Sequence, residues 1–284
     1  MFRTYTQFTI DRSTPGLQTV TFNNPPINLL DPVTIIELQA LVSDLETDLS
    51  ARVVVFQAAD PDFFIARFDT AKAAETPTQP GPTGYAPWLD VVLRLSGGPF
   101  VSIAKIRGRT RGVGNEFALA CDMRFASRQK AVFGNPEIGV GLPPGGGALE
   151  WLPRLVGRSR ALEIVLSGDD FDADVAERYG WVNRALDDDD LDAFVDKLAA
   201  RLATFDRQAL GAVKAQINRV GVPTGAEVES SNQMFFAALA WPGPMTRRAK
   251  LAEMGGYGAR SDLELNFGRF LPSLGPVSAE TFSG

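Results

Sequence analysis

The sequence contains no histidine and a single cysteine, Cys121. Without imidazole there is no Ser-His-Asp or Cys-His catalytic arrangement, and no histidine ligand for zinc or iron. One thiol forms neither an intrachain disulfide nor a multi-cysteine metal site. Acid–base chemistry near neutral pH therefore falls to carboxylates, lysine, tyrosine or the one thiol, and no metal centre is predicted.

Basic side chains and long apolar runs are also scarce. The chain has 28 Lys and Arg against 34 Asp and Glu, a net charge of −6, which argues against broad nucleic-acid binding. No run approaches the roughly 18 apolar residues of a membrane span, and the first residues lack the apolar core of a signal peptide. We therefore expect a cytoplasmic protein without nucleic-acid or membrane partners.

The N-terminal part alternates strand-like and helix-like segments, which indicates an α/β fold. Residues 5–10 and 17–22 predict a β-hairpin around a Pro-Gly turn. Asp31 followed by Pro32 predicts the N-terminus of a helix. Further strands are predicted at residues 53–56, 101–106 and 123–126.

The later part of the chain is predominantly helical in pattern. Leu162, Val165 and Leu166 predict one apolar stripe of a helix, and Gly180 predicts a helix end. Residues 71–87, rich in Pro, Thr, Ala and Gly, predict a loop. The sequence thus predicts an α/β core over residues 1–200 and a helical C-terminal region over residues 201–284.

Three segments carry residues suited to chemistry. Residues 63–69 follow a buried strand, residues 107–116 join a strand to an apolar helix, and residues 133–147 are rich in glycine and proline. A glycine-rich turn that opens a helix presents unpaired N–H groups, which suit a phosphate, a carboxylate or an oxyanion. It also suits a tight turn without a ligand. The pattern matches neither a P-loop nor the full dinucleotide fingerprint.

Together these segments resemble the crotonase superfamily, also called the enoyl-CoA hydratase/isomerase family. The resemblance covers roughly residues 5–220 and includes the Asn-Pro-Pro-Ile-Asn-Leu-Leu run at 24–30 and the Leu-Pro-Arg-Leu-Val-Gly-Arg run at 152–158. It implies a spiral of repeated ββα units followed by a C-terminal helical trimerisation region. It also implies a homotrimer or a hexamer built as a dimer of trimers.

The resemblance implies a lyase of acyl-CoA metabolism that hydrates an α,β-unsaturated acyl-CoA thioester. Coenzyme A would enter as part of the substrate, without a separate cofactor. The backbone amides of Phe68 and Val113 would form an oxyanion hole, Glu116 would serve the attacking water, and Glu137 would serve the C2 proton. Substrate contacts are implied at Ala66, Arg67, Asp69, Gly112, Gly114, Gly145 and Arg269.

The sequence departs from the family pattern at three places. Arg67 and Val113 stand where the family usually has glycine, so either would be strained if its position required a positive φ. Residues 247–268 do not resemble the common family ending.

Two other interpretations remain open from the sequence. The same scaffold supports double-bond isomerisation, decarboxylation and thioester hydrolysis, which share the oxyanion hole. A non-catalytic binding protein of the same fold is the alternative from a different class. The presence of both Glu116 and Glu137 favours hydration.

Overall fold

The computed structural model describes residues 3–276, so residues 1–2 and 277–284, the outer ends of the two predicted regions, lie outside the described part. The strands are β1 (Phe8–Asp11), β2 (Leu17–Phe22), β3 (Val53–Ala58), β4 (Phe63–Ile65), β5 (Val101–Ile106), β6 (Arg109–Arg111), β7 (Met123–Ser127), β8 (Val132–Gly134), β9 (Phe171–Asp172) and β10 (Arg184–Leu186). The helices are α1 (Pro32–Thr47), α2 (Pro87–Gly97), α3 (Val113–Ala120), α4 (Ala148–Val156), α5 (Arg158–Ser167), α6 (Ala173–Tyr179), α7 (Asp188–Ala203), α8 (Arg207–Gly221), α9 (Gly225–Ala238), α10 (Pro242–Met254), α11 (Asp262–Leu265) and α12 (Phe267–Phe270). Short 3₁₀ helices cover Thr70–Glu75, Pro136–Val140 and Leu271–Leu274.

The strands form two sheets. The first has the order β1-β2-β3-β5-β7-β10 and is parallel except for the β1–β2 pair. The second has the order β4-β6-β8-β9 and is parallel except for the β8–β9 pair. The successive pairs β3/β4, β5/β6 and β7/β8 each place one strand in each sheet, and α2, α3 and α4 follow them in turn. This repeated ββα arrangement confirms the predicted α/β spiral.

Local sequence signals account for several element boundaries. The predicted hairpin is present, with Phe8 of β1 opposite Phe22 of β2. At the start of α1, the Asp31 carboxylate accepts a hydrogen bond of 2.8 Å from the Thr34 amide, as an N-cap residue does. Helix α6 ends at Gly180, whose φ of +81° is the left-handed conformation that glycine adopts without strain.

Two expectations differ from the structure. The apolar stripe of α5 was wrong, because Leu162 and Leu166 are 38% and 61% exposed while Val165 is buried with Ala161 and Ile164. Helix α5 packs against α4 and the 3₁₀ helix Pro136–Val140, and its buried side chains Ala161, Ile164 and Val165 belong to the main hydrophobic core. The predicted loop at residues 71–87 begins with the 3₁₀ helix Thr70–Glu75.

Helix α3 lies in the centre of the main hydrophobic core. It contacts β4, β6, α2 and α4, and all its residues from Gly114 to Ala120 are buried. The Phe117 ring meets the rings of Phe22 and Phe56 edge to face, at centroid distances of 5.4 and 4.9 Å. These contacts fix the rotation of α3 about its axis and thereby the direction of its neighbouring side chain, Glu116.

Helix α7 and the last helices of the chain belong to separate apolar clusters. Helix α7 covers the first sheet through Leu191, Val195 and Ala199, so the predicted boundary at residue 200 falls inside a helix that belongs to the core. Helices α10 to α12 share a separate apolar cluster of Leu251, Leu263, Phe267, Leu271 and Leu274. Among the described residues, no helix combines the length and the apolar character that crossing a membrane requires.

A buried ion pair ties the C-terminal helices to the segment after β4. Arg67 Nη2 lies 2.5 Å from Glu264 Oε1, and the two side chains are only 8% and 1% exposed. The guanidinium carbon of Arg67 also lies 3.6 Å from the centre of the Tyr257 ring. Glu264 Oε1 accepts a second hydrogen bond, of 2.7 Å, from the Gly258 amide. Both charges are therefore compensated although little water reaches them.

We expect Glu264→Gln to destabilise the protein by about 3 kcal/mol, because it leaves the buried Arg67 charge without its counterion. The double variant Arg67→Met/Glu264→Gln should lose less than the sum of the single losses, because neither charge then remains unpaired. Chemical denaturation measures each free energy of unfolding. Arg260→Ala is the matched control: its pairs with Asp60 and Asp62 are partly exposed and should contribute no more than about 1 kcal/mol. Equal losses in Glu264→Gln and the control would contradict the expectation.

Candidate active site

The ends of two neighbouring parallel strands bring the predicted donor segments together. β4 pairs with β6, so the chain after Ile65 and the chain after Arg111 leave the same edge of the second sheet. A Cβ atom on Gly114 would stand 2.2 Å from the Ile65 carbonyl oxygen, so only glycine permits this approach of α3 to β4. Phe68 and Val113 follow directly on these two segments.

The amides of Phe68 and Val113 are open donors. The backbone groups on either side of the Phe68 amide pair with Leu30. The Leu30 amide donates to the Arg67 carbonyl, and the Leu30 carbonyl accepts from the Asp69 amide, both at 2.9 Å. Val113 is the first residue of α3, where helix amides have no intrahelical acceptor. Within residues 3–276, neither amide donates a hydrogen bond to another backbone group. Two such donors can bind an oxygen that carries negative charge.

The conformational strain considered for Arg67 and Val113 is absent. Among the described residues other than glycine, only Asn28 has a positive φ, of 50°. The glycine-specific conformation is instead at Gly112, whose φ is +53° at the N-cap of α3. Arg67 is held by Glu264 and donates through Nη1 to the Phe68 carbonyl at 3.0 Å. The arginine side chain thus supports the segment that carries the Phe68 amide.

Glu116 lies in the first turn of α3 and is 3% exposed. Its Oε1 atom accepts hydrogen bonds from the Gly146 amide at 2.8 Å and the Ala148 amide at 3.3 Å, at the start of α4. A Cβ atom on Gly146 would stand 2.2 Å from Glu116 Oε2, so a larger residue there would displace the carboxylate. The glycine-rich segment at residues 133–147 therefore positions Glu116.

Glu137 belongs to the 3₁₀ helix Pro136–Val140, which follows β8, and it is partly buried. Its Oε1 atom lies 2.7 Å from the position that a Cβ on Gly112 would take, which places the carboxylate beside the start of α3. A chain of buried donors supports it. Trp181 Nε1 donates to Asn115 at 2.9 Å, Asn115 donates to Asn135 at 2.7 Å, and Asn135 donates to Glu137 Oε2 at 3.3 Å.

The two carboxyl groups share a poorly solvated environment that raises both pKa values. Burial, and then the charge of Glu137, raise the pKa of Glu116 to about 8. Burial raises the pKa of Glu137 to about 7, against the opposing hydrogen bond from Asn135. Two neighbouring carboxyl groups with pKa values near neutrality can hold one proton between them, so that one acts as an acid and the other as a base.

The remaining predicted residues have different surroundings. Ala66 is buried and donates through its amide to Asn28, and the Asp69 carboxylate caps the 3₁₀ helix Thr70–Glu75. Gly145 lies under α9, where a Cβ would stand 2.4 Å from the Phe235 side chain. Arg269 is exposed on α12. Substrate contact by these four residues stays a prediction, as it does for Arg67, Gly112 and Gly114.

No metal centre is visible within residues 3–276, where no group of three or more Cys, Asp or Glu side chains has an arrangement that could hold an ion. An open depression of about 540 Å³ lies between α4 and α9, away from the two carboxylates. Its lining consists of Leu149, Glu150, Arg154, Ala226, Glu227 and Ser230. The predicted site residues do not line it.

Several residues of the site were missed at the level of sequence. Asn115 and Asn135 lie within the segments at residues 107–116 and 133–147. Their closeness in sequence to Glu116 and Glu137 was the only indication that they belong to the site. Glu264 is 197 residues from Arg67, and Trp88 lies in a helix that carries no recognised motif. For these two residues, nothing in the local sequence indicates proximity to the site.

Comparisons with known proteins identify the family of this chain. The sequence profile of the enoyl-CoA hydratase/isomerase family matches residues 12–241. A short-chain-enoyl-CoA hydratase from Clostridium acetobutylicum is 31% identical over 201 residues, which cover 70% of this chain and 77% of that protein. A crotonyl-CoA hydratase from Syntrophomonas wolfei is 30% identical over 192 residues, which cover 68% of this chain and 74% of that protein.

Solved structures extend the likeness to almost the whole chain. A crystal structure from Streptomyces avermitilis, described as that of a candidate enoyl-CoA hydratase, is 43% identical with a TM-score of 0.90. The match covers 98% of this chain and 100% of that one. An enoyl-CoA hydratase from Mycobacterium avium subsp. paratuberculosis is 25% identical with a TM-score of 0.77, over 86% of this chain and 98% of that one. The chain belongs to the enoyl-CoA hydratase/isomerase family.

Proposed function

We propose that the protein is an enoyl-CoA hydratase that adds water to an α,β-unsaturated acyl thioester of coenzyme A. The observation that carries the proposal is that Glu116 lies in the first turn of α3 and Glu137 lies beside Gly112, the N-cap of that helix, with both pKa values raised. A family member that uses one carboxylate has no need of the second. The relatives named short-chain-enoyl-CoA hydratase support the same reaction and a short acyl chain.

In this proposal the thioester oxygen binds between the Phe68 and Val113 amides. Addition of water at C3 moves negative charge onto that oxygen, and the two N–H groups and the N-terminal end of α3 stabilise the enolate. Glu116 takes a proton from the water and Glu137 delivers a proton to C2. Coenzyme A is part of the substrate, and the step requires no metal or redox group.

The division of roles between the glutamates can be separated experimentally. Burial raises the pKa of both carboxyl groups, so either of them can carry the proton that C2 receives. Exchange of C2 hydrogens with solvent in a saturated acyl-CoA reports only on the group that serves C2.

Glu116→Gln and Glu137→Gln should each lower kcat for hydration by about 10²-fold or more, because glutamine keeps the shape but transfers no proton. KM should change little, since binding depends on the amides and on contacts to the nucleotide. Loss of C2 exchange in Glu137→Gln alone would support the proposed division. Near-normal hydration by Glu116→Gln, with Glu137→Gln inactive, would contradict hydration and favour isomerisation by a single carboxylate.

We expect a bell-shaped dependence of kcat/KM on pH. Below about pH 7 both carboxyl groups are protonated and the base is lost, while above about pH 8 both are ionised and the acid is lost. Ordinary glutamates would instead leave no protonated carboxyl group at neutral pH. Rates from pH 5 to pH 10 at subsaturating thioester test this. A rate that is constant from pH 6 to pH 10 would exclude a carboxylic acid as the proton donor.

We further propose that the protein forms a homotrimer or a dimer of trimers. In support, α8 presents Val213, Ile217 and Val220 on one face, and these side chains are 61%, 66% and 87% exposed. A contiguous apolar stripe of this kind is unusual on a monomer surface.

Ile217→Glu should therefore reduce the assembled fraction, because it places a charge in the centre of the apolar face. Sedimentation velocity measures the mass in solution. Leu49→Glu is the control, since Leu49 is 78% exposed in the connection between α1 and β3 and does not belong to α8. A wild-type protein that sediments as a monomer would contradict the proposed assembly.

A further inference from the structure

Glu264, in the C-terminal helix α11, is bonded to both of the segments that carry the open amides. Its carboxylate pairs with Arg67, the residue before Phe68, through Nη2 and Oε1 at 2.5 Å and through Nε and Oε2 at 3.4 Å. Its backbone carbonyl accepts a hydrogen bond of 2.6 Å from Nη1 of Arg111, which lies two residues before Val113. One residue therefore joins the chain after β4 to the end of β6, close to each of the two amides.

The two arginine side chains that make these contacts are buried, and their directions are fixed. Arg67 is 7% exposed and Arg111 is 1% exposed. Arg111 also donates through Nε and Nη2 to the carboxylate of Asp170, at 2.6 and 2.7 Å. A guanidinium is planar and its donors diverge in set directions, so partners on several of its nitrogens leave little freedom of rotation. Arg111 thus holds the backbone of Glu264, and the Glu264 carboxylate in turn orients Arg67.

The Arg67 side chain completes the hydrogen bonding of the backbone around the Phe68 amide. The peptide before Phe68 is bonded to Leu30 through the Arg67 carbonyl, and the peptide after it through the Asp69 amide. The Phe68 carbonyl, in that second peptide, accepts from Arg67 Nη1 at 3.0 Å. Both peptide planes are therefore held while the Phe68 N–H remains open. Donors fixed in this way need no reorganisation when charge develops on a bound oxygen.

We propose that Glu264 is a positioning residue, which holds the Phe68 and Val113 amides at the spacing that one thioester oxygen requires. This inference rests on the proposed function, in which both amides bind that oxygen. The Glu264 side chain is 1% exposed, so it acts on the substrate only through the two arginine contacts. Its effect should be larger in the transition state than in substrate binding, because the oxygen carries most negative charge there.

Glu264→Gln keeps the shape of the side chain and removes its charge. We expect kcat for hydration of a short-chain trans-2-enoyl-CoA to fall about 10-fold, with KM changed less than about twofold, because a displaced donor costs mainly transition-state stabilisation. Exchange of the C2 hydrogens of butyryl-CoA should fall by a similar factor, since that reaction also places negative charge on the thioester oxygen. Unchanged rates in both assays would overturn the proposal.

Asp122→Asn is the matched control, because it also removes the carboxylate partner of a buried cation. Asp122 pairs with Lys214 at 2.9 Å, and the Lys214 side chain is 8% exposed. Asp122 follows the C-terminal end of α3, whereas Val113 is at the other end of that helix. We expect this variant to lose stability and to keep the wild-type kcat. An equal fall of kcat in Asp122→Asn and Glu264→Gln would indicate a general effect of destabilisation and overturn the proposal.

The carbonyl stretching band of bound butyryl-CoA, labelled with ¹³C at the thioester carbon, reports on the two amides without turnover. Hydrogen bonds from both should move this infrared band of the wild-type complex to lower frequency than in solution. Glu264→Gln should lose part of that shift, and Asp122→Asn should keep it. The double variant Arg67→Met/Glu264→Gln leaves neither charge unpaired but gives the Phe68 carbonyl no arginine donor, so the shift should stay reduced.

The infrared measurement separates a failure of this inference from a failure of the proposed function. A wild-type shift that Glu264→Gln and the double variant both retain would overturn the positioning role alone. So would a shift that returns to the wild-type value in the double variant, because the band would then follow stability. A wild-type complex without any shift would overturn the proposed binding of the thioester oxygen, and with it the proposed function.

Discussion

The absence of a solvent face on α3 is the constraint on which the site depends. Residues Gly114 to Ala120 are all buried, so every side chain of this short helix must point into protein. Phe117 takes the place in the aromatic core, and Glu116 is directed toward α4. A carboxyl group in such a position has lost most of its hydration, and its pKa rises in consequence. The packing of the core around α3 is therefore also what raises the pKa of the Glu116 carboxyl group.

The two-sheet spiral explains how distant segments meet at this helix. Each ββα unit leaves the second sheet at the same edge, since β4, β6 and β8 are parallel neighbours. The segments that follow these strands carry Phe68, Val113 and Glu137 respectively. Because the strands are hydrogen-bonded side by side, the segments that follow them converge at one end of the sheet. The repeat thus supplies one functional element from each turn of the chain.

Sequence patterns were sufficient where the cause of a structure is local. Asp31 and Gly180 act on their own backbone neighbours, and both helix boundaries were correctly predicted. The apolar stripe on α5 failed because exposure of Leu162 and Leu166 depends on which partners cover the helix. The segments carrying the glutamates were recognisable only as a combination, since each alone also fits a tight turn. The Arg67–Glu264 pair joins positions 197 residues apart, and neither residue marks the other.

The departure at Arg67 gains a physical reason from that pair. Arginine is compatible with the backbone there because φ is not positive, and its side chain reaches Glu264 and Tyr257 of the C-terminal region. Two of the three departures from the family pattern, at residue 67 and at residues 247–268, therefore contact each other. Through Nη1 the same side chain holds the Phe68 carbonyl, whose residue supplies an open amide. The distinctive C-terminus thus supports the segment on which binding of the thioester oxygen would depend.

The site contains several hydrogen-bond donors that have no acceptor within the described protein. The amides of Phe68 and Val113 and the indole of Trp88 have no acceptor among the described residues, and two carboxyl groups lie beside them. An unpaired donor that is buried, as the Trp88 indole N–H is, costs about 1–3 kcal/mol. If the site served stability alone, we would expect these donors to be paired with acceptors of the protein itself. The Trp181–Asn115–Asn135 chain is paired in this way. The contrast between the satisfied chain and the open donors separates the support of the site from the surface that meets its substrate.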